Sequence, residues 1–130
     1  MTWRRLAVAW TVLIVAACLV PGDRVPEVEL RLLSPDKVVH VGMFFLFGWL
    51  WMRATPPAAP ASWPRTGAVV AGGVALAVAI EVAQDVLPIN RFGDPYDAVA
   101  DLAGLALGVG LGLWQRRSAG RGGAGAEQLS

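Results

Sequence analysis

Ionisable side chains recur in this chain at helical spacing. Asp36 and His40, Glu81 and Asp85, and Asp97 and Asp101 are each four residues apart, and Gln84 lies one turn beyond Glu81. In a helix that spacing puts both members of a pair on one face. A histidine among carboxylates can act as a general acid or base, or can hydrogen-bond a polar ligand. His40, Glu81, Asp97 and Asp101 are therefore the catalytic candidates. Lys37, His40, Glu81, Gln84, Arg91, Asp97 and Asp101 are the candidates for ligand binding, with Arg91 as the natural cation for the acidic group. Asp36 and Asp94 have a plainer reading as helix caps, where a carboxylate gains about 0.3 to 1 kcal/mol from the helix dipole.

The elements that carry these residues are apolar. The chain has 130 residues, 55% hydrophobic and 16% charged, with a mean hydropathy of +0.53; an average soluble domain has about 25% charged residues. Apolar runs extend from Leu6 to Val20, Val38 to Met52, Gly67 to Ile80 with a more polar continuation to Leu87, and Ala98 to Trp114. None has the polar stripe of a water-facing helix. The fold class this predicts is an all-α membrane protein, a bundle of four transmembrane helices over about residues 5–20, 38–52, 66–87 and 97–114. Pro21-Gly22-Asp23, the loop with Pro56, Pro57 and Pro60, and Pro88 punctuate these boundaries. A charge at mid-bilayer costs about 2.5 to 3.5 kcal/mol, so ionisable groups inside spans call for an explanation. In this topology all of them gather at the outer end, and Glu81, with apolar turns around it, is the one that capping does not account for.

Arg4, Arg5, Arg53, Arg65, Arg116, Arg117 and Arg121 fall on one side of the four-span arrangement, and Arg24, Arg31, Lys37 and Arg91 on the other. The positive-inside rule then places both termini in the cytoplasm, the chain being multi-pass in the membrane. Trp3, Trp49, Trp51, Trp63 and Trp114 lie near the inner interface, where amphipathic rings are favoured. The first span also has the outline of a lipoprotein signal, with Val15-Ala16-Ala17-Cys18 as cleavage box. Its apolar run continues past Cys18, so the span is kept in the membrane domain, residues 1–117. Residues 118–130, rich in glycine, read as a disordered cytoplasmic tail. A net charge of +1 with scattered cations argues against nucleic acid. The single cysteine allows no intrachain disulfide, no metal-spacing motif stands out, and neither metal nor cofactor is expected.

Gly104, Gly108 and Gly112 form a small-residue stripe close to the face of Asp97 and Asp101, which predicts tight helix packing. Taken together, Asp36-Lys37-Val-Val-His40, Glu81-Val-Ala-Gln84, and Arg91 followed by Asp94, Asp97, Asp101 and Gly104 resemble the VanZ-like family of small bacterial membrane proteins, over roughly Pro21 to Trp114. Asp101 departs from that pattern, where many members carry asparagine. The resemblance implies a bacterial inner-membrane location, envelope work at the outer leaflet and, for the founding member, resistance to teicoplanin-type glycopeptides; it supplies no mechanism.

Four functions fit these residues. The cluster can bind the headgroup of a membrane lipid, a lipid-linked envelope precursor or a lipoglycopeptide, with Arg91 on phosphate or carboxylate. An enzyme on a lipid-borne group would use His40 or Glu81 as base and water as nucleophile, since no Ser, Thr or Cys is linked to His40. A proton-coupled transporter fits less well, because the ionisable groups cluster at one end. A structural or assembly role, with homo-oligomers among its forms, uses the same network to lock helices together.

Overall fold

The computed structural model describes residues 2–24, 34–56 and 63–127; Arg31, Pro57 and Pro60 lie outside them. Among the described residues the chain is all helical: α1 (Trp3–Cys18), a 3-10 turn (Gly22–Arg24), α2 (Pro35–Ala54), α3 (Trp63–Val86) and α4 (Pro95–Glu127). The local reasons are visible in the sequence. Thr2 caps α1 by accepting from the Arg5 amide. Pro35 opens α2 at a position where the missing amide costs nothing. Asp94 caps α4, its Oδ1 accepting from the Tyr96 amide at 2.9 Å.

Two of the four helices are long and apolar enough to cross a membrane: α3, and the Pro95–Arg121 part of α4. The other two fall short for identifiable reasons. α1 has only 16 residues, and α2 holds Asp36, Lys37, His40 and Arg53 within its bounds. The four-span expectation thus meets the test of length and composition at two helices.

Pairing along the helices fixes their directions. Lys37 meets Asp94 and Asp97, His40 meets Asp101, and Trp49 meets Gln115, so α2 and α4 run the same way. Trp3 lies against Trp49 while Trp10 donates to the Met43 carbonyl, so α1 runs antiparallel to α2. α2 and α4 are the most intimate pair, α1 and α3 barely touch, and α1 and α4 do not pack on each other among the described residues. The glycines explain that intimacy. A Cβ on Gly104 would collide with the Val41 carbonyl, on Gly108 with the Phe45 carbonyl, and on Gly112 it would lie 2.6 Å from Met52 Cβ. From the other side, a Cβ on Gly48 would lie 3.0 Å from the Leu105 carbonyl oxygen. Backbone packs on backbone along this seam.

Ile14, Cys18, Phe44, Phe47, Met52, Val69, Ala77, Ile80, Leu105 and Val109 fill the core. Much apolar surface faces outward as well: Val70, Val74, Val78, Val82 and Val86 make an exposed stripe down α3. Where α1 and α3 diverge beside α2, a cavity of about 630 Å³ opens, lined among others by Thr11, Phe47, Trp51, Val69 and Leu76.

At the C-terminus the structure differs from the sequence reading. α4 continues through Ser118 to Glu127, where composition alone suggested a disordered tail. Extending an existing helix costs far less than nucleating one, and the alanines and arginine among the glycines sustain the run.

Candidate functional site

The polar residues singled out in the sequence come together at one end of the bundle, where α2 and α4 begin and α1 and α3 finish. Lys37 donates to Asp94 Oδ2 at 3.1 Å and to Asp97 Oδ1 at 3.2 Å, joining the first turns of α2 and α4. Its ring neighbour is Tyr96, 5.9 Å away. Lys37 and Asp94 lie outside the apolar runs. Burial opposes the Lys37 charge, but the hydrogen bonds to Asp94 and Asp97 win and raise its pKa above the ordinary lysine value. Burial likewise pushes the Asp94 carboxyl up, and the Tyr96 amide and the Lys37 ammonium overcome it, holding the pKa below the usual carboxylate range.

One turn further in, His40 Nδ1 stands 2.8 Å from Asp101 Oδ1. His40 is 3% exposed and Asp101 0%. A carboxylate accepts, so Nδ1 carries the proton and Nε2 faces the other way. There it meets Asp97 Oδ2 at 3.9 Å and Asp36 Oδ1 at 4.0 Å, both beyond hydrogen-bond reach. Asp36, read from the sequence as a cap, is not one. Ser34 occupies the N-cap position without a side-chain hydrogen bond, and Asp36 stands half exposed in the first turn on the His40 face. Asp94 keeps its capping role and adds the ion pair with Lys37.

Glu81 and Asp85 form the α3 wall of the same end. Both carboxylates crowd Gly93: a Cβ there would lie 2.8 Å from Glu81 Oε2 and 3.1 Å from Asp85 Oδ2, while the Gly93 amide donates to Asp85 Oδ1 at 2.7 Å. Only glycine fits. Glu81 Oε1 and Asp101 Oδ2 are buried with no hydrogen-bond partner, and such an orphan ordinarily costs about 1 to 3 kcal/mol.

Two predicted site residues point elsewhere. Arg91, expected as the cation of the acidic group, donates to the Cys18 carbonyl at 2.9 Å, and Gln84 donates to the same oxygen at 2.9 Å. Both secure the end of α1. Lys37 is the cation that serves the carboxylates. This end is acid-rich: Asp36, Glu81 and Asp85 have no lysine or arginine paired to them among the described residues, Lys37 being held by Asp94 and Asp97 and Arg91 turned to the Cys18 carbonyl. Chemically it suits cationic or hydrogen-bond-donating groups.

The opposite end holds a polar arrangement that sequence reasoning missed. Arg116 donates to the Met52 carbonyl, to the Thr55 carbonyl at 2.7 Å and to Thr55 Oγ1 at 2.6 Å. Trp49 Nε1 donates to Gln115 Oε1 at 3.0 Å, and the Arg53 guanidinium lies 4.7 Å from the Trp3 ring centre and 5.8 Å from that of Trp49. The one available signal was the pile of Arg and Trp at these helix ends, which had been read only as interface anchoring.

The chain was compared with protein-family models, curated proteins and solved structures, and none of the three comparisons finds a match.

Proposed function

We propose that the chain is a VanZ-like integral membrane protein of the bacterial cell envelope, a four-span bundle with both termini cytoplasmic, whose outer-facing polar end binds the amine-bearing headgroup of a lipid, lipid-linked precursor or lipoglycopeptide. The outward apolar surface, including the valine stripe of α3, supports contact with lipid on this reading. So does the gathering of Arg53, Arg65 and Arg116 at the end remote from Lys37 and Asp94. The observation that carries the binding reading is the partnerless Glu81 Oε1, on a carboxylate whose other oxygen lies with Asp85 against Gly93. An acceptor buried at that cost is satisfied when a donor arrives. Phosphate recognition through Arg91 is not part of this reading, because the guanidinium is turned through Nη1 to the Cys18 carbonyl and the unpaired charged groups of this end are carboxylates.

The test is binding to the full chain in nanodiscs of phosphatidylethanolamine or phosphatidylglycerol, and of an amine-bearing lipoglycopeptide to the same particles. Glu81→Gln keeps size and removes charge, and is expected to weaken association with amine-bearing ligands about tenfold, the loss of one charge-assisted hydrogen bond. Preference for phosphatidylglycerol, or indifference to Glu81→Gln, overturns the reading. Cysteine labelling at Asn90 in intact cells, with Cys18 replaced, tests the outward orientation.

A second reading has its own observation. The His40–Asp101 pair, with Nε2 free, is the arrangement of a general base and its orienting carboxylate. In that case His40→Gln abolishes turnover of a lipid-borne substrate while its association survives.

A further inference from the structure

We infer that Asp36, His40 and Asp97 form a binding site for a divalent cation of the zinc class, with Asp101 as the residue that orients the histidine. Each of the three offers one ligand atom, and these atoms all lie within 4.8 Å of one another. His40 Nε2 is 3.9 Å from Asp97 Oδ2 and 4.0 Å from Asp36 Oδ1. In a tetrahedral site, two ligands each about 2.0 to 2.2 Å from zinc are about 3.3 to 3.6 Å apart, so the set closes on a metal by about half an ångström between His40 and Asp97 and by a turn of the half-exposed Asp36 side chain.

The atoms are accounted for one by one. Asp97 Oδ1 is taken by Lys37, which leaves Oδ2 for the site. His40 Nδ1 is taken by Asp101, which leaves the Nε2 lone pair, on a side chain 3% exposed, aimed between two carboxylate oxygens. A neutral imidazole lone pair facing two carboxylates is repulsive unless a positive charge stands between them, and a proton on Nε2 and a bound cation compete for that place. A ligating histidine whose other nitrogen donates to a carboxylate is the recurrent second-shell pattern of metal sites. Charge points the same way: Asp36, Asp94, Asp97 and Asp101 put four carboxylates against the one ammonium of Lys37. One imidazole with two carboxylates suits zinc or manganese better than magnesium, which prefers oxygen alone. Three protein ligands leave a fourth position open, as in zinc sites that take water or a ligand oxygen.

This site goes beyond the headgroup reading and is measured without any headgroup present. The full chain is purified in detergent, stripped with a chelator and titrated with zinc, the bound metal being counted after equilibrium dialysis. One zinc per chain is expected. His40→Gln and Asp36→Asn are expected to weaken it at least hundredfold, and Asp101→Asn ten- to hundredfold; Asp23→Asn, exposed and outside the ligand set, leaves it unchanged. Asp36 makes no hydrogen bond within 3.5 Å to a described residue, so Asp36→Asn keeps the fold, which circular dichroism checks. Cobalt added to the unmutated chain gives a second readout, visible bands of nitrogen and oxygen coordination that zinc displaces. Absence of saturable zinc binding, or equal binding by Asp36→Asn and the unmutated chain, overturns the site while leaving the headgroup reading standing.

Discussion

Both ends of the α2–α4 pair are tied by polar contacts, but they are tied differently. At the Trp49 end the indole has Gln115, and the Arg116 guanidinium has the Met52 and Thr55 carbonyls. Donors there are matched to acceptors that sit in main chain or in neutral side chains. At the His40 end acceptors outnumber donors, and Glu81 Oε1 and Asp101 Oδ2 are left without partners. A bundle that only needed stapling would be served by the first arrangement twice. The surplus of buried oxygen at one end marks it as the place where the molecule meets something else.

Mutations can break this comparison. The largest effect is expected for Asp101→Leu, which leaves the buried His40 Nδ1–H without an acceptor and costs about 3 kcal/mol in unfolding experiments in detergent. A loss no larger than that of a surface change would mean the two ends are alike. Gly108→Ala comes next, because its Cβ meets the Phe45 carbonyl; overpacking of that kind costs about 1 to 3 kcal/mol. Gly110→Ala is its control on the same helix, with nothing within 4 Å, and is expected to be neutral or to stabilise by up to about 1 kcal/mol. At the matched end, Trp49→Phe removes one hydrogen bond and costs about 1 kcal/mol, with zinc and headgroup binding unchanged. The smallest effect is the pH dependence of the Lys37–Asp94 pair, since Asp94 is 40% exposed. Its folded-state pKa is lowered, so its contribution is complete above the ordinary value of 3.8 and is lost as pH falls through the lowered one. Lys37, raised, contributes below its ordinary value of 10.5 and loses that as pH rises through the raised one. Unfolding midpoints across pH should therefore fall at both extremes, and Asp94→Ala should flatten the acid limb.

Four helices and a close-packing face on α4 were legible because apolar runs and glycine spacing are local signals; that α2 is the partner of that face was not. The i, i+4 pairs were legible for the same reason: Asp36 and His40, and Asp97 and Asp101, do share faces. What was hidden involved partners that a sequence does not display. Arg91 and Gln84 both find a main-chain oxygen, that of Cys18, and Arg116 finds two more. No side-chain pattern announces a carbonyl. The cation site was hidden differently, since its ligands come from two helices and no spacing within either one gives it away. The continuation of α4 to Glu127 ran against its glycine content, which weighs on propensity but not on propagation from a formed helix.

The clasp at Cys18 also governs the order in which the chain can be completed. Its donors lie 66 and 73 residues downstream, and the partners of α2 on α4 lie about as far away, His40 and Asp101 being 61 apart. While the chain is being made, α1 and α2 have only each other, and the carbonyl of Cys18 and the imidazole of His40 wait for segments not yet synthesised. Contacts of such long sequence separation close late. Every chain therefore passes through a stage with its first half placed and its ionisable groups unmated, the interval in which a chaperone or a protease would find it.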